Sequence, residues 1–119
     1  MPNFKDGVIR DGNSSIGSGS VLGNIKNGVI RKGTSSIAGS GTVLGNVKNG
    51  IIRAGTSSIA GTGTVVLNVK GGVVRSGTSS IAGHGTTVCN VSNCMIKGME
   101  HEMDEAIVAA YHFLIKKLA

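Results

Sequence analysis

The chain has 119 residues, a formal net charge of +6, no tryptophan and only 3% aromatic residues, so a core built on large aromatic side chains is excluded. Burial must come from Val, Ile and Leu in thin layers, each worth about 1.5–3 kcal/mol when fully buried. The positive charge favours anionic partners such as acidic lipid headgroups, glycans or nucleic acid, although copying one Lys and one Arg per repeat produces the same excess with no partner at all.

Repetition organises the sequence. Lys5–Ile25, Lys26–Val47, Lys48–Val69 and Lys70–Val91 are near-copies, and Ser92–Gly98 opens a truncated fifth. The equivalent arginines Arg10, Arg31, Arg53 and Arg75 are spaced by 21 and then 22 residues, the signature of a repeat architecture. The 20 glycines recur in register with β-branched residues, which points to turns and close backbone approach, not disorder.

The chain opens part-way through a unit, since Asn3–Gly7 aligns with Asn46–Gly50. Asp6-Gly7, Asn27-Gly28 and Asn49-Gly50 predict two-residue type I′ hairpins, with Gly71-Gly72 compatible. Asn93-Cys94 predicts a looser fifth turn, because Cys tolerates positive φ poorly. A two-residue loop sets Lys26 opposite Val29, Ile25 opposite Ile30 and Asn24 opposite Arg31. Alternation then places Val21, Ile25 and Ile30 on one face, the expected core, and Leu22, Asn24, Lys26, Val29 and Arg31 on a mixed, partly wet face. Around Ile37 and its equivalents Ile16, Ile59 and Ile81 a short small-residue strand is expected, followed by a bend at Gly39, Gly61 and Gly83. A β-solenoid is the competing architecture, but regular two-residue reversals argue against it. The unit is again broken off near Gly98, so the two half-units are expected to pair and close a ring without open edges.

The texture changes after Gly98. The expected organisation is a β-hairpin repeat domain over 1–98 and an amphipathic helix over 99–119, with Met103, Ile107, Ala110, Tyr111, Leu114 and Leu118 on one stripe. Acidic residues at its start and Lys116 and Lys117 at its end suit the helix dipole. The stripe is expected to bury on the ring itself or, through Met103, Ile107, Tyr111, Leu114 and Leu118, in a homo-oligomer. MPNFKDG has no apolar leader region and no ~18-residue apolar run follows, so a cytoplasmic location is the default expectation. Cys89 and Cys94 alone make neither a disulfide framework nor a metal knuckle.

The segment Gly23-Asn24-Ile25-Lys26-Asn27-Gly28-Val29-Ile30-Arg31 and its three copies resemble the four-fold β-flower proteins, over roughly residues 3 to 97. The resemblance implies a mainly β fold, in which four 22-residue hairpin repeats close into a shallow pseudo-four-fold barrel of petals, with the C-terminal helix added. It implies little about activity, and a shallow bowl is similar to headgroup-binding barrels by analogy only. The chain departs from that family in lacking petal aromatics and in its GTSSIAG segments.

Repetition also creates the candidate site. Arg10, Arg31, Arg53, Arg75 and Lys97 occupy one position per unit, with Asn3, Asn24, Asn46, Asn68 and Asn90 expected opposite. In a ring these form a circlet able to grip phosphate, sulfate or carboxylate through charge-assisted hydrogen bonds, and Lys5, Lys26, Lys48 and Lys70 add a second circlet at the hairpin tips. The structural alternative is that Arg and Asn simply bond each other across strands. His101, Glu105 and His112 share a helix stripe, but it is the solvated one, and HEMDE is not a metalloprotease motif, so no metal is expected. His84 replaces Ser40 and Thr62. Neither a nucleophile elbow nor a phosphate loop is present, and nucleic-acid binding lacks stacking platforms. The expectation is a non-enzymatic binding module without a cofactor, for an anionic ligand or a lipid headgroup surface. A structural or assembly protein oligomerising through its helix is the alternative, and an ice- or glycan-facing row of Thr34, Thr56 and Thr78 a third.

Overall fold

A computed structural model describes residues 2–12 and 15–118. Among the described residues, nine strands form one antiparallel sheet in strict sequence order: Asn3–Lys5 (β1), Val8–Asp11 (β2), Ser20–Lys26 (β3), Val29–Lys32 (β4), Thr42–Lys48 (β5), Ile51–Ala54 (β6), Thr64–Lys70 (β7), Val73–Ser76 (β8) and Thr86–Asn90 (β9). One helix, Asp104–Ala110 (α1), follows, with a π-helical continuation over Tyr111–Ile115.

The four hairpin turns are type I′. Asp6, Asn27, Asn49 and Gly71 have φ of 52 to 60°, and the glycines after them 77 to 82°, the left-handed values that this turn demands at both positions. The register within each hairpin is the expected one: Lys26 opposite Val29, Ile25 opposite Ile30, Asn24 opposite Arg31.

Between hairpins a β-bulge alters the face assignment. Ile30 lies opposite Gly45 but Arg31 opposite Val43, so Leu44 is the extra residue, and the same slip recurs at Leu22, Val66 and Val88. Because a bulge interrupts alternation, Val21 moves to the face of Arg10. Leu22 instead packs into the cluster of Ile9, Ile96, Met99 and Ala110. Both reverse the face expected for them.

The inner face carries Ile25, Ile30, Val47, Ile52, Leu67, Val69 and Val74, packed with Val108 and Ala109 of α1. Ile107, Tyr111, Leu114 and Leu118 pack against this core too, whereas Met103 is the helix N-cap and is 63% exposed. The helix begins at Asp104, later than expected, and buries a broader face that includes His112. The helix can come this close because Gly23 and Gly45 have no side chains: a Cβ on Gly45 would run into the Phe113 ring, and one on Gly23 into Leu114.

The outer face is drier than its mixed composition suggests. Val8, Val29 and Ile51 are buried, because the GTSSIAG segments fold back over them. These segments are turns and bends, not the short strands expected from sequence. Ala38, Ala60 and Ala82 each lie against the hairpin glycine of the preceding repeat, Gly7, Gly28 and Gly50, where a Cβ would sit 2.8, 3.6 and 3.5 Å from the alanine methyl. Among the described residues, nothing lies within 4 Å of such an atom on Gly71 or Gly72, in the fourth turn.

In place of a fifth hairpin, Val91–Asn93 form a 3-10 turn, with Cys94 at φ −109°. The chain then runs to Lys97, which makes a parallel bridge with Asn3. Two backbone bonds hold this junction: Phe4 N–H to the Lys97 carbonyl (2.7 Å) and Lys97 N–H to the Pro2 carbonyl (2.9 Å). No helix among the described residues is long and apolar enough to cross a membrane, a statement that bears on helices alone.

Candidate functional site

Each strand asparagine organises a loop. The Asn24 Oδ1 accepts from Gly39 N–H (2.9 Å) and its Nδ2 donates to the Ser40 carbonyl (2.7 Å). Asn46 holds Gly61 and Thr62 in the same way, and Asn68 holds Gly83 and His84. Asn3 holds Gly17, Ser18 and Gly12. All four asparagines are at most 1% exposed. The loop backbone is thus satisfied by a buried amide, not by a neighbouring strand, which is why no strand forms there. These amides are occupied by the protein's own backbone and do not face a ligand. Asn90 differs: it is exposed, with no loop after it, and its backbone N–H is bonded to Asn93 Oδ1.

Further bonds stiffen each loop. The Ile37, Ile59 and Ile81 amides donate to the hydroxyls of Ser35, Ser57 and Ser79 (3.1 Å each). Ser40 and Thr62 hydroxyls donate to the Ile37 and Ile59 carbonyls (2.7 Å). At the fourth loop His84 keeps the backbone bond to Ile81 but has no hydroxyl to add.

The cations lie beside these loops. Arg10, Arg31, Arg53 and Arg75 are half-buried and register with Asn3, Asn24, Asn46 and Asn68. The stems of Lys5, Lys26, Lys48 and Lys70 run along Gly17, Gly39, Gly61 and Gly83, with Cδ 3.0–3.3 Å from where a Cβ would sit. Adjacent loops enclose hollows of one type. Lys26, Asn27, Val29, Arg31 and Gly39 meet Ser58 of the next loop around about 240 Å³, and Lys5, Val8, Arg10 and Gly17 meet Ser36 around about 330 Å³, with the acidic Asp6 where the other hollow has Asn27. Lys48, Arg53, Gly61 and Ser80 are the same residue types in the next unit. An ammonium, a guanidinium and a hydroxyl around one hollow can bind an oxyanion. Sequence reasoning found the Arg and Lys but missed the serines, whose contribution crosses from one repeat to the next. Lys97 stands apart, bridged to Asn3.

The helix residues do not form a site. Glu105 Oε2 accepts from Gly50 N–H at 2.7 Å, tying the helix to the third hairpin turn. His112 is 7% exposed, and its Nδ1 accepts from Leu118 N–H (2.9 Å). Burial, with Lys117 nearby, lowers its pKa from the ordinary histidine value, and acceptance at Nδ1 suits the neutral ring with its proton on Nε2. His112 is therefore not on the solvated stripe expected for it, and no group of three metal-capable side chains exists among the described residues. Cys94 is buried, and burial together with the adjacent Cys89 raises its pKa to about 12, which keeps it a protonated thiol and a poor nucleophile. Backbone hydrogen bonds, its own and that of Gly98, lower the pKa of Glu100 at the junction before the helix.

A family model described as "6-fold beta flower protein" matches residues 1–108, where the hairpin texture alone had suggested a four-fold relative. Neither a curated protein nor a solved structure matches the chain significantly.

Proposed function

Since the chain belongs to the 6-fold beta flower family, whose description names a fold, we propose that it is a non-enzymatic binding module for an anionic ligand. The observation that carries this reading is the recurrence of one hollow, Lys–Arg–Ser, between successive loops. The sheet is read as a shallow closed barrel whose ends meet at Asn3 and Lys97, so that the hollows follow one another around it. Repeated weak sites of this kind gain by multivalency: each hollow binds one oxyanion poorly, and a surface bearing many oxyanions engages several together. The asparagines of the expected circlet serve as loop clamps in this scheme, leaving Arg10, Arg31, Arg53 and Arg75 with Lys5, Lys26, Lys48 and Lys70 as the ligand-facing groups.

Retention on heparin tests it. The wild-type chain is expected to bind at low ionic strength and elute with salt, and Arg31→Ala with Arg53→Ala to weaken retention at least about tenfold. Retention unchanged by both substitutions overturns the reading.

Self-association is the second reading, favoured by Met95 (53% exposed), Met103 (63%) and an open hollow of about 510 Å³ among Leu44, Val66, Phe113 and Ile115, edged by Lys116 and Lys117. Ile107, Tyr111, Leu114 and Leu118 are engaged on their own sheet, so a partner would meet the remaining edge. A monomer mass at every concentration in light scattering removes this reading.

A further inference from the structure

Four isoleucines stand out of a protein in which none of the other eight is exposed. Ile16, Ile37, Ile59 and Ile81 are 43, 70, 67 and 59% exposed, against 0–9% for the core isoleucines. They occupy the same position in each loop, and their exposure is imposed by the backbone. In the second loop, Ile37 N–H is bonded to Ser35, its carbonyl to Ser40, and the following Gly39–Ser40 to the buried Asn24. The side chain cannot turn inward without breaking this set. A recurrent, rigidly presented apolar residue marks an interaction surface far more strongly than a single exposed one.

The surroundings identify the partner's chemistry. Each loop carries a lysine stem along its glycine, Lys5, Lys26, Lys48 or Lys70, an apolar rod ending in an ammonium 3.7–3.9 Å from where a Cβ on that glycine would sit. Residues 26 to 91 contain seven Lys and Arg and no Asp or Glu. The loops follow one another across the same face of the sheet, because the strands are in sequence order. A soluble polyanion would use the cations and leave the isoleucines wet. A bilayer with anionic headgroups uses both, taking apolar side chains into its interface and phosphates against the cations.

We propose that the isoleucine-tipped loops are a docking surface for an anionic phospholipid bilayer, with Ile37, Ile59 and Ile81 entering the interfacial layer and the Lys–Arg–Ser hollows receiving headgroup phosphates. This rests on the anion-binding reading above and names its source.

The test uses the full chain with vesicles of phosphatidylcholine, with or without one third phosphatidylserine, and heparin in parallel. The wild type is expected to sediment with the anionic vesicles and not with the neutral ones. The triple variant Ile37→Ser, Ile59→Ser, Ile81→Ser should partition at least about tenfold more weakly while keeping its heparin retention. The chain has no tryptophan, so Ile59→Trp is a single reporter: its emission should shift to the blue on anionic vesicles. This reading stands even where the triple variant misfolds. Heparin binding without vesicle binding, unchanged partitioning of the triple variant, or no emission shift overturns the bilayer proposal and leaves anion binding intact. Binding to neither overturns both.

Discussion

The two faces of this sheet are built from the same repeats and obey different rules. On the outer face every unit does the same thing: a buried asparagine clamps a loop, and in the second to fourth units an alanine of that loop covers the preceding hairpin turn. On the inner face the equivalent positions Gly23, Gly45, Leu67 and Cys89 diverge. Two glycines admit Leu114 and Phe113, and Leu67 joins the core. Repetition persists where each unit contacts only its neighbour, and gives way where a single helix must be seated against several units at once.

The most severe break expected in this contrast is Asn46→Ala. It strips Gly61 N–H and the Thr62 carbonyl of their partner, and with an orphaned buried group costing about 1–3 kcal/mol, urea unfolding should show a loss of about 3 kcal/mol. Asn90→Ala, which clamps no loop and removes only an exposed cap on the Val91–Asn93 turn, should cost about 1 kcal/mol or less. Equal losses would mean that the asparagines are not clamps.

Next comes the inner face. Gly45→Ala should cost about 2 kcal/mol by overpacking against Phe113 and the Arg53 carbonyl. Gly55→Ala, whose new methyl would meet only the Gly63 Cα at 3.5 Å, should unfold like the wild type. A tolerated Gly45→Ala would show that the helix is not seated where described.

A smaller effect follows from His112. Its pKa is lower folded than unfolded, so below about pH 6.5 the unfolded chain takes up the proton first, and stability falls as pH drops through that value. Protonation also ends acceptance from Leu118 N–H. His112→Gln should flatten this part of the melting-temperature profile between pH 7.5 and 5.5 (a window set about the ordinary histidine value), and an unchanged slope would assign it to other groups. The smallest effect is Ile59→Ser, expected within about 0.5 kcal/mol because the side chain is 67% exposed. A large loss there would remove the isoleucines from the solvent-facing class.

Much of this was readable from the residues. Asn-Gly turns fix hairpin register locally, so Asn24 opposite Arg31 followed directly. The bulge at Leu22 did not, since no residue type there demands one, and it exchanged the faces of Val21 and Leu22. The loops were misread because a side chain supplies bonds that a strand would otherwise supply. The signal was present: an asparagine, then Gly-x-Gly fifteen residues on, in unit after unit. The inner asymmetry was equally visible in Gly23, Gly45, Leu67 and Cys89, but only the helix gives that series a meaning.

The overlap of Ala38, Ala60 and Ala82 on the turns before them gives the array a direction, like tiles laid from one eave. The tile over the turn at Gly71-Gly72 is missing. Another unit spliced in after Asn90 would bring its own alanine to that bare spot and leave a bare spot of its own. Such a sheet can lengthen or shorten by whole units without a new kind of contact between neighbours, and the cost of each change falls on the junction at Asn3 and Lys97 and on the helix that must span the result.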